Sequence, residues 1–525
     1  MKSSKLILLF IIVVGFIARI IFIDQYPPSL NWDEVSHGYN AYSILKTGKD
    51  EWGNFLPTIF RCFGDYKLPL YIYLTVPSIL IFGLNIFSVR LISIIAGTLI
   101  PLFIFLILKS ILNKNSKLPL LGAIIFALSP GTIFLSRIAL EANLFLLLFC
   151  ISIYLLIQKK YPLSTLFYGL GLFTYNSSRV LLPFYLILFI FLIVKDKFKI
   201  VKNWYKFIPF IILSILAIIQ TLNQSGQARY QWVSLLDEGS INRINELRFT
   251  YPRIVVNKGT YFIFTATKNY LSHFNPNFLF FNGGSHYQFS LPNFFLISPL
   301  FLPFLILGLF HLLKNINQKK FQILFIWFLI APIPSSITRD APHVLRSIVF
   351  LPIVVIIITF GINLIYKKIP KLTTLFVVSV LILGQFLFWP KYKSYTTNYS
   401  SSWQYGYSQA VSFIQKNYSN YNQIIFTKKY GEPHEFLLFY WPWDPNKFQT
   451  DITKNWNYHA SWYWVDAFDK FKFINDWEIK QTTQNIDPSV KTLLITSPNN
   501  YNQDNRLIKT INFLDNTPVF DILEI

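Results

Sequence analysis

The sequence predicts a mainly α-helical, polytopic membrane protein of about 11 transmembrane helices, with a small α/β domain at its C-terminal end. Three observations lead there. Apolar runs of roughly 17–25 residues, long enough to cross a bilayer, recur from the N-terminus to about residue 389. Of the 525 residues, 53% are hydrophobic and 14% charged, with a mean hydropathy of +0.42, whereas soluble domains carry about a quarter charged residues. Beyond about residue 390 the apolar runs stop, and strand-like and amphipathic stretches replace them.

The N-terminal MKSSKLILLFIIVVGFIARIIFI begins basic, as a signal peptide does, but lacks a small-residue cleavage site, so it reads as a retained first helix near 6–23. Further spans are expected near 87–112, 118–135, 142–158, 162–174, 180–195, 206–221, 293–313, 320–334, 345–366 and 371–389. Eleven crossings from a cytoplasmic N-terminus place the C-terminal domain outside. The charges agree with this topology. Lys2, Lys5, Lys109, Lys114, Lys117, Lys159, Lys160, the lysines from Lys195 to Lys206, Lys314, Lys319, Lys320, Lys367, Lys368 and Lys371 all fall in inside segments. Asp196 is the sole acid among them; the other acids fall outside. The net charge of +22 is thus explained by loop lysines rather than by nucleic-acid binding. An integral, multi-pass plasma (inner) membrane protein is expected.

One apolar stretch, LPLYIYLTVPSILIFG (68–83), is not counted as a span. It is short, holds Pro69 and Pro77, and has no basic loop after it; it is expected to lie at the outer interface. The organisation is therefore a membrane domain, 1–389, with outer loops 24–86 and 222–292, and an extracytoplasmic α/β domain, 390–525. In that domain WQYGYSQAVSFIQKNY reads as an amphipathic helix, and QIIFTKK, KTLLITSP and TPVFDILEI read as strands. Cys62 and Cys150 make no disulfide framework.

Chemistry-bearing residues gather on the outer side. In LNWDEVSHGYN, Asp33 and Glu34 open a helix-like segment just beyond the first span. Acids favour that first turn on electrostatic grounds, and a carboxylate there can equally accept a proton from an attacking hydroxyl. RCFGDYKLPL adds Asp65, Tyr66 and Lys67, the lysine placed either to snorkel or to meet a lipid phosphate. FLSRIALEANLF sets Arg137 and Glu141 four apart at a membrane mouth, an ion-pair spacing. Two polar knots, LGLFTYNSSRVLLPF with Tyr175 and Arg179, and SITRDAPHVLR with Arg339, Asp340, His343 and Arg346, offer guanidinium forks suited to phosphate. Loop 222–292 contributes Arg229, Arg248 and His273. No metal-ligand spacing, Gly-rich phosphate loop or GxSxG elbow occurs, which argues against ATP-driven and serine-type chemistry.

Together, NWDEVSHGYNAYSILKTG, GDYKLPLYIYL, LSRIALEANLFLL, GLFTYNSSRVLLP and SITRDAPHVLR resemble the GT-C glycosyltransferases. The likeness is to the superfamily of dolichyl-phosphate-mannose–protein mannosyltransferases and aminoarabinose transferases (glycosyltransferase family 39-like). It covers most of the membrane part and none of the C-terminal tail. It implies a GT-C fold and a polyprenyl-phosphate sugar as donor. The acceptor would be a hydroxyl on a protein, lipid or glycan; nucleic acid has no part. Asp33 is implied as catalytic base with Glu34 beside it, and Glu141 matches the second acidic position. Lys67, Arg179 and Arg346 match the cations that hold the carrier phosphate. Asp65, Tyr66, Arg137, Tyr175 and His343 are expected to line the substrates. No cofactor is assigned; a divalent cation is left open. A single displacement would invert the anomeric centre. Two other classes compete: an oligosaccharyltransferase-like enzyme, suggested by YWPWDP and SWYWVD in the tail, and a lipid-linked sugar flippase, which predicts charges within spans and repeated halves.

Overall fold

The structure is a computed structural model that describes residues 2–112, 116–198, 200–223, 227–228, 232–459 and 462–525; Lys114 and Arg229 lie outside them. In chain order it begins with α1 (Lys2–Ile20), α2 (Trp32–Thr47), the short strands β1 (Phe60–Arg61) and β2 (Tyr66–Lys67), and α3 (Pro69–Phe82). There follow α4 (Ile86–Ile111), α5 (Leu118–Leu128), α6 (Pro130–Ser136), α7 (Glu141–Ile157), α8 (Tyr161–Gly171) and α9 (Ser177–Lys195). Helices Ile208–Leu222, Leu302–Lys314, Lys319–Ile330, Phe350–Tyr366 and Pro370–Asn398 complete the apolar set.

A helix stands at every expected crossing, yet the expected number of spans is not reached. Among the described residues four helices are long and apolar enough to cross a membrane, or five if α5 and α6, bent by 56°, count as one crossing. Several of the other apolar helices fall short in length. Helices such as α7 and Phe350–Tyr366, at 17 residues, rise about 25 Å against a hydrocarbon core of about 30 Å. The α5/α6 bend has a local cause: Ser129 precedes Pro130, and it takes the extended conformation that a following proline imposes (φ −68°, ψ 132°). At 14 residues α3 spans only about 21 Å, and its Leu80 and Ile81 are exposed.

The chain divides into two compact units that do not follow sequence order. The first comprises Met1–Ile21 and Ser93–Lys391, the second Phe22–Ile92 and Tyr392–Ile525. Within the first, α1 packs on α5 through Leu8, Ile11, Ala123 and Ala127, with Phe105 of α4. Helices Leu302–Lys314 and Phe350–Tyr366 meet backbone to backbone: a Cβ on Gly308 would strike the Ile357 carbonyl, and one on Gly361 the Phe304 carbonyl. Small residues permit such close approach where lipid supplies no hydrophobic drive.

In the second unit the tail forms β3 (Gln423–Thr427), β4 (Asn455–His459), β5 (Trp462–Phe468), β6 (Phe471–Ile474), β7 (Thr492–Thr496), β8 (Arg506–Asn512) and β9 (Pro518–Glu524). They make one sheet in the order β4-β5-β6-β3-β7-β9-β8, with β3 parallel to both neighbours and the other pairs antiparallel. The three expected strands and the helix Tyr407–Asn417 are among its elements. The first outer loop joins this body. Gly38 of α2 lies so close to Phe439 and Val89 that a Cβ there would sit 2.5 Å and 2.7 Å from their side chains. Gln449 donates to Ser43 Oγ and to the Asp50 carbonyl, Tyr39 Oη to the Trp443 carbonyl, and the Tyr463 amide to the Phe63 carbonyl.

Candidate functional site

The second unit holds Asp33, Glu34, Asp65, Tyr66 and Lys67. Helix α2 starts at a capping box: Asn31 accepts from the Glu34 amide at 3.0 Å, and Glu34 Oε2 accepts from the Asn31 amide at 3.2 Å. Asp33 therefore sits in the first turn, where the free N–H groups favour its charge. Across from it, β1 and β2 pair as a small hairpin, Phe60 opposite Lys67 and Arg61 opposite Tyr66. The hairpin is closed by Cys62 N–H to the Asp65 carbonyl, and Asp65 Oδ1 accepts the Tyr66 amide. It aims Lys67 at α2, where Nζ meets Asp33 Oδ1 at 2.6 Å. Lys67 is largely covered (11% exposed) while Asp33 stays open at 41%. An accessible carboxylate thus lies against a shielded ammonium.

Aromatic rings hold this arrangement. Phe63 stacks on Trp462 at 5.6 Å, and Trp32, next to Asp33, contacts both. Arg61 lies over Trp52 at 3.7 Å, with Trp456 and Tyr463 each at 4.7 Å. Tyr66 Oη pairs with Tyr463 Oη at 3.2 Å, and burial followed by that bond pushes its pKa up to about 12.

Glu34 has surroundings unlike those of Asp33. It is buried, and Arg90 grips both its oxygens, Nε to Oε1 at 2.9 Å and Nη2 to Oε2 at 3.1 Å. Arg90's other hydrogen bonds go to the carbonyls of Ile23, Pro27 and Ser29. This charge-assisted fork ties the helix start to the chain on either side of it. An arginine inside an expected apolar run, FSVRL, was the signal that could have pointed to it.

In the first unit, Arg137 and Glu141 do not share a helix as their spacing suggested. Arg137 caps α6, Glu141 opens α7, and the chain between them is non-helical. Fully buried Arg137 donates to the carbonyls of Ala18 and Arg19 and lies 5.3 Å from the Trp389 ring. The two polar knots come together: Ser177 Oγ, between Tyr175 and Arg179, donates to the Arg346 carbonyl at 3.2 Å. Arg179 reaches Gln220 Oε1 at 2.6 Å, Thr221 Oγ1 and the Leu172 carbonyl. Tyr175 is buried. Arg346 donates to Thr338 Oγ1 at 2.8 Å and lies 3.5 Å from Asp340; its amide donates to His343 Nδ1. His343 is buried against Phe289.

The acids of the tail's aromatic strings have partners within the fold. Asp444 caps the helix Pro445–Thr450, and Asp466 pairs with Lys428. Sequence reasoning missed a buried cluster in the second unit, Glu51, His434 and Glu435, whose donor atoms lie within 4.8 Å of one another.

With this geometry in hand, known proteins can be compared. Residues 67–222 match the family described as dolichyl-phosphate-mannose-protein mannosyltransferase. ArnT from Cupriavidus metallidurans, bound to undecaprenyl phosphate, superposes with a TM-score of 0.50 at 10% identity, over 100% of this chain and 98% of that one. The chain has the GT-C fold. The Archaeoglobus fulgidus oligosaccharyltransferase in its apo form is similar at a TM-score of 0.49 and 11% identity, over 83% of this chain; the chain spans 63% of that protein's length. No curated protein matches the sequence itself. The GT-C resemblance read from the motifs is thus met by a family match that begins at Lys67 and by a fold that extends over the whole chain.

Proposed function

We propose that the protein is a membrane glycosyltransferase that moves a sugar from a polyprenyl-phosphate donor to an acceptor hydroxyl on the outer face, with inversion. The family match and the fold favour a glycosyltransferase. The observation that carries the mechanism is the 2.6 Å contact between exposed Asp33 and shielded Lys67. The lysine binds the donor phosphate, and the freed carboxylate takes the proton from the acceptor oxygen as it attacks the anomeric carbon. The bond from that carbon to the phosphate oxygen breaks, and polyprenyl phosphate leaves with the electron pair. Lys67 stabilises the charge that develops on it. The phosphate is a good leaving group, so no strong general acid is needed. Glu34 anchors the base rather than acting as one. Glu141, Arg137, Arg179, Arg346, Tyr175 and His343 are proposed to contact substrate on the strength of their motifs, each to be tested individually. Asp65 and Tyr66 hold the hairpin that presents Lys67. Tail residues 390–525 form the extracytoplasmic domain of a multi-pass plasma-membrane protein.

A divalent ion at the base, left open by the sequence, does not fit the donor set there: the partner of Asp33 is an ammonium, and Glu34 is consumed by Arg90. No step is therefore routed through a metal.

The test is release of polyprenyl phosphate by purified protein in lipid, offered a panel of polyprenyl-phosphate sugars with peptide, lipid and glycan acceptors. Asp33→Asn should lower acceptor-dependent turnover by about 10²–10⁴-fold, the range of base catalysis. Undiminished turnover in Asp33→Asn, or a retained anomeric configuration in the product, would overturn the reading. Transbilayer movement of donor without any release would favour the flippase.

A further inference from the structure

The second unit buries three carboxylates and an imidazole in its interior. Glu51, Glu432, His434 and Glu435 are each 1–3% exposed. Glu51 comes from the loop after α2; the other three come from one short stretch, GEPHEF, at the start of the helix Pro433–Tyr440. Hydrogen bonds satisfy part of this group. Glu51 Oε1 accepts from Asn40 at 3.0 Å, and Glu432 Oε1 accepts from the Trp462 indole. Glu51 Oε2, Glu435 Oε2 and His434 Nδ1 have no hydrogen-bond partner. A Glu51 and a Glu435 carboxyl oxygen lie within 4.8 Å of each other, and two buried carboxylates that close repel unless a cation or a proton offsets them.

The imidazole of His434 adds a third donor to the pair. A neutral ring has one N–H and one lone pair. Here both nitrogens face carboxylates: Nδ1 lies 3.4 Å from Glu432 Oε2, and Nε2 lies 4.0 Å from Glu435 Oε1. A ring that gave its Nε2 lone pair to a cation held by Glu51 and Glu435 would turn its Nδ1 proton towards Glu432. This is also the order found around metal-bound histidines, whose second nitrogen donates to an outer carboxylate.

We propose that Glu51, Glu435 and His434 Nε2 bind a divalent transition-metal ion of the Zn²⁺ or Mn²⁺ class, with Glu432 orienting the imidazole. Mixed imidazole and carboxylate donors suit such ions rather than Ca²⁺. Donor separations of up to 4.8 Å close to the roughly 3.4 Å of a tetrahedral shell by side-chain rotations of about 1 Å. The ion is structural. It staples the first outer loop to the C-terminal sheet domain within one unit, and Asn40 and Ser36 of α2 reach its ligands Glu51 and Glu435. The site is independent of the transferase mechanism.

The experiment is metal analysis and thermal unfolding of the full-length protein in detergent, with ZnCl₂ or MnCl₂ as the probe. The expected result is about one tightly held ion per chain, a fall in Tm on chelation and its return on re-addition. Glu51→Gln and Glu435→Gln should each abolish retention and lower Tm, while His434→Ala should do so more severely. Because the alanine variant can misfold, X-ray absorption on the wild-type protein gives a second reading: one imidazole and two carboxylate ligands in the shell. Absence of retained ion, with a Glu51→Gln variant as stable as wild type or more so, would overturn the proposal in favour of a shared proton. So would an ion that stays bound in both glutamine variants.

Discussion

Asp33 and Glu34 are neighbours in sequence, and the fold gives them opposite surroundings. Asp33 keeps 41% of its side chain in solvent beside Lys67, whereas Glu34 is sealed against Arg90. Losing one partner of a buried ion pair strands the other charge, at a cost of about 3–5 kcal/mol. Arg90→Met is therefore expected to lower Tm and yield sharply. Arg90→Met with Glu34→Gln should recover much of that loss, because no buried charge is then unpaired; thermal unfolding of both variants checks it. From sequence, the first turn of α2 was readable, since the two acids mark a helix start. Which acid faces solvent was not readable, because it depends on an arginine that only the fold brings near. Glu-Pro-His-Glu at 432–435 was equally visible as a string, but its third carboxylate, Glu51, belongs to a loop far away in the chain.

At the scale of elements, apolar runs located the helices well and their lengths poorly. Composition does not register the breaks that Ser129-Pro130 and residues 137–140 introduce, so one expected crossing became the bent pair α5 and α6, and Arg137 and Glu141 fall on different helices. The contact between helices Leu302–Lys314 and Phe350–Tyr366 carries its own prediction. Gly361→Ala drives a methyl into the Phe304 carbonyl, so the pair must separate. Overpacking of this kind costs about 1–3 kcal/mol and should appear as a lower Tm with unchanged helix content. His273, which ends the helix Lys258–Ser272, offers a pH test. Burial holds its pKa down at about 4, against 6.5 when unfolded. The unfolded chain thus binds the proton more readily between those values. Its contribution to stability is full above about pH 6.5 and is lost as pH falls towards 4. His273→Asn should flatten that part of the Tm–pH curve.

For the whole molecule, the sequence suggested a membrane domain followed by an outer one, and the contact pattern groups the chain otherwise. Phe22–Ile92 and Tyr392–Ile525 are one body, joined by pairs such as Tyr39 with Trp443 and Phe63 with Tyr463. No local pattern announces pairings between segments that stand so far apart. This connectivity also has a consequence in time. About 300 residues separate Ile92 from Tyr392, which at ribosomal speeds is roughly 15–60 s of synthesis. Throughout that interval Gly38 and Tyr39 of α2 lack the helices Pro433–Tyr440 and Pro445–Thr450 that later cover them. The first loop of the nascent chain must wait, apolar face open, until the last quarter of the protein arrives to enclose it. A chain that stalls before Tyr392 leaves the candidate base on a support that is never finished.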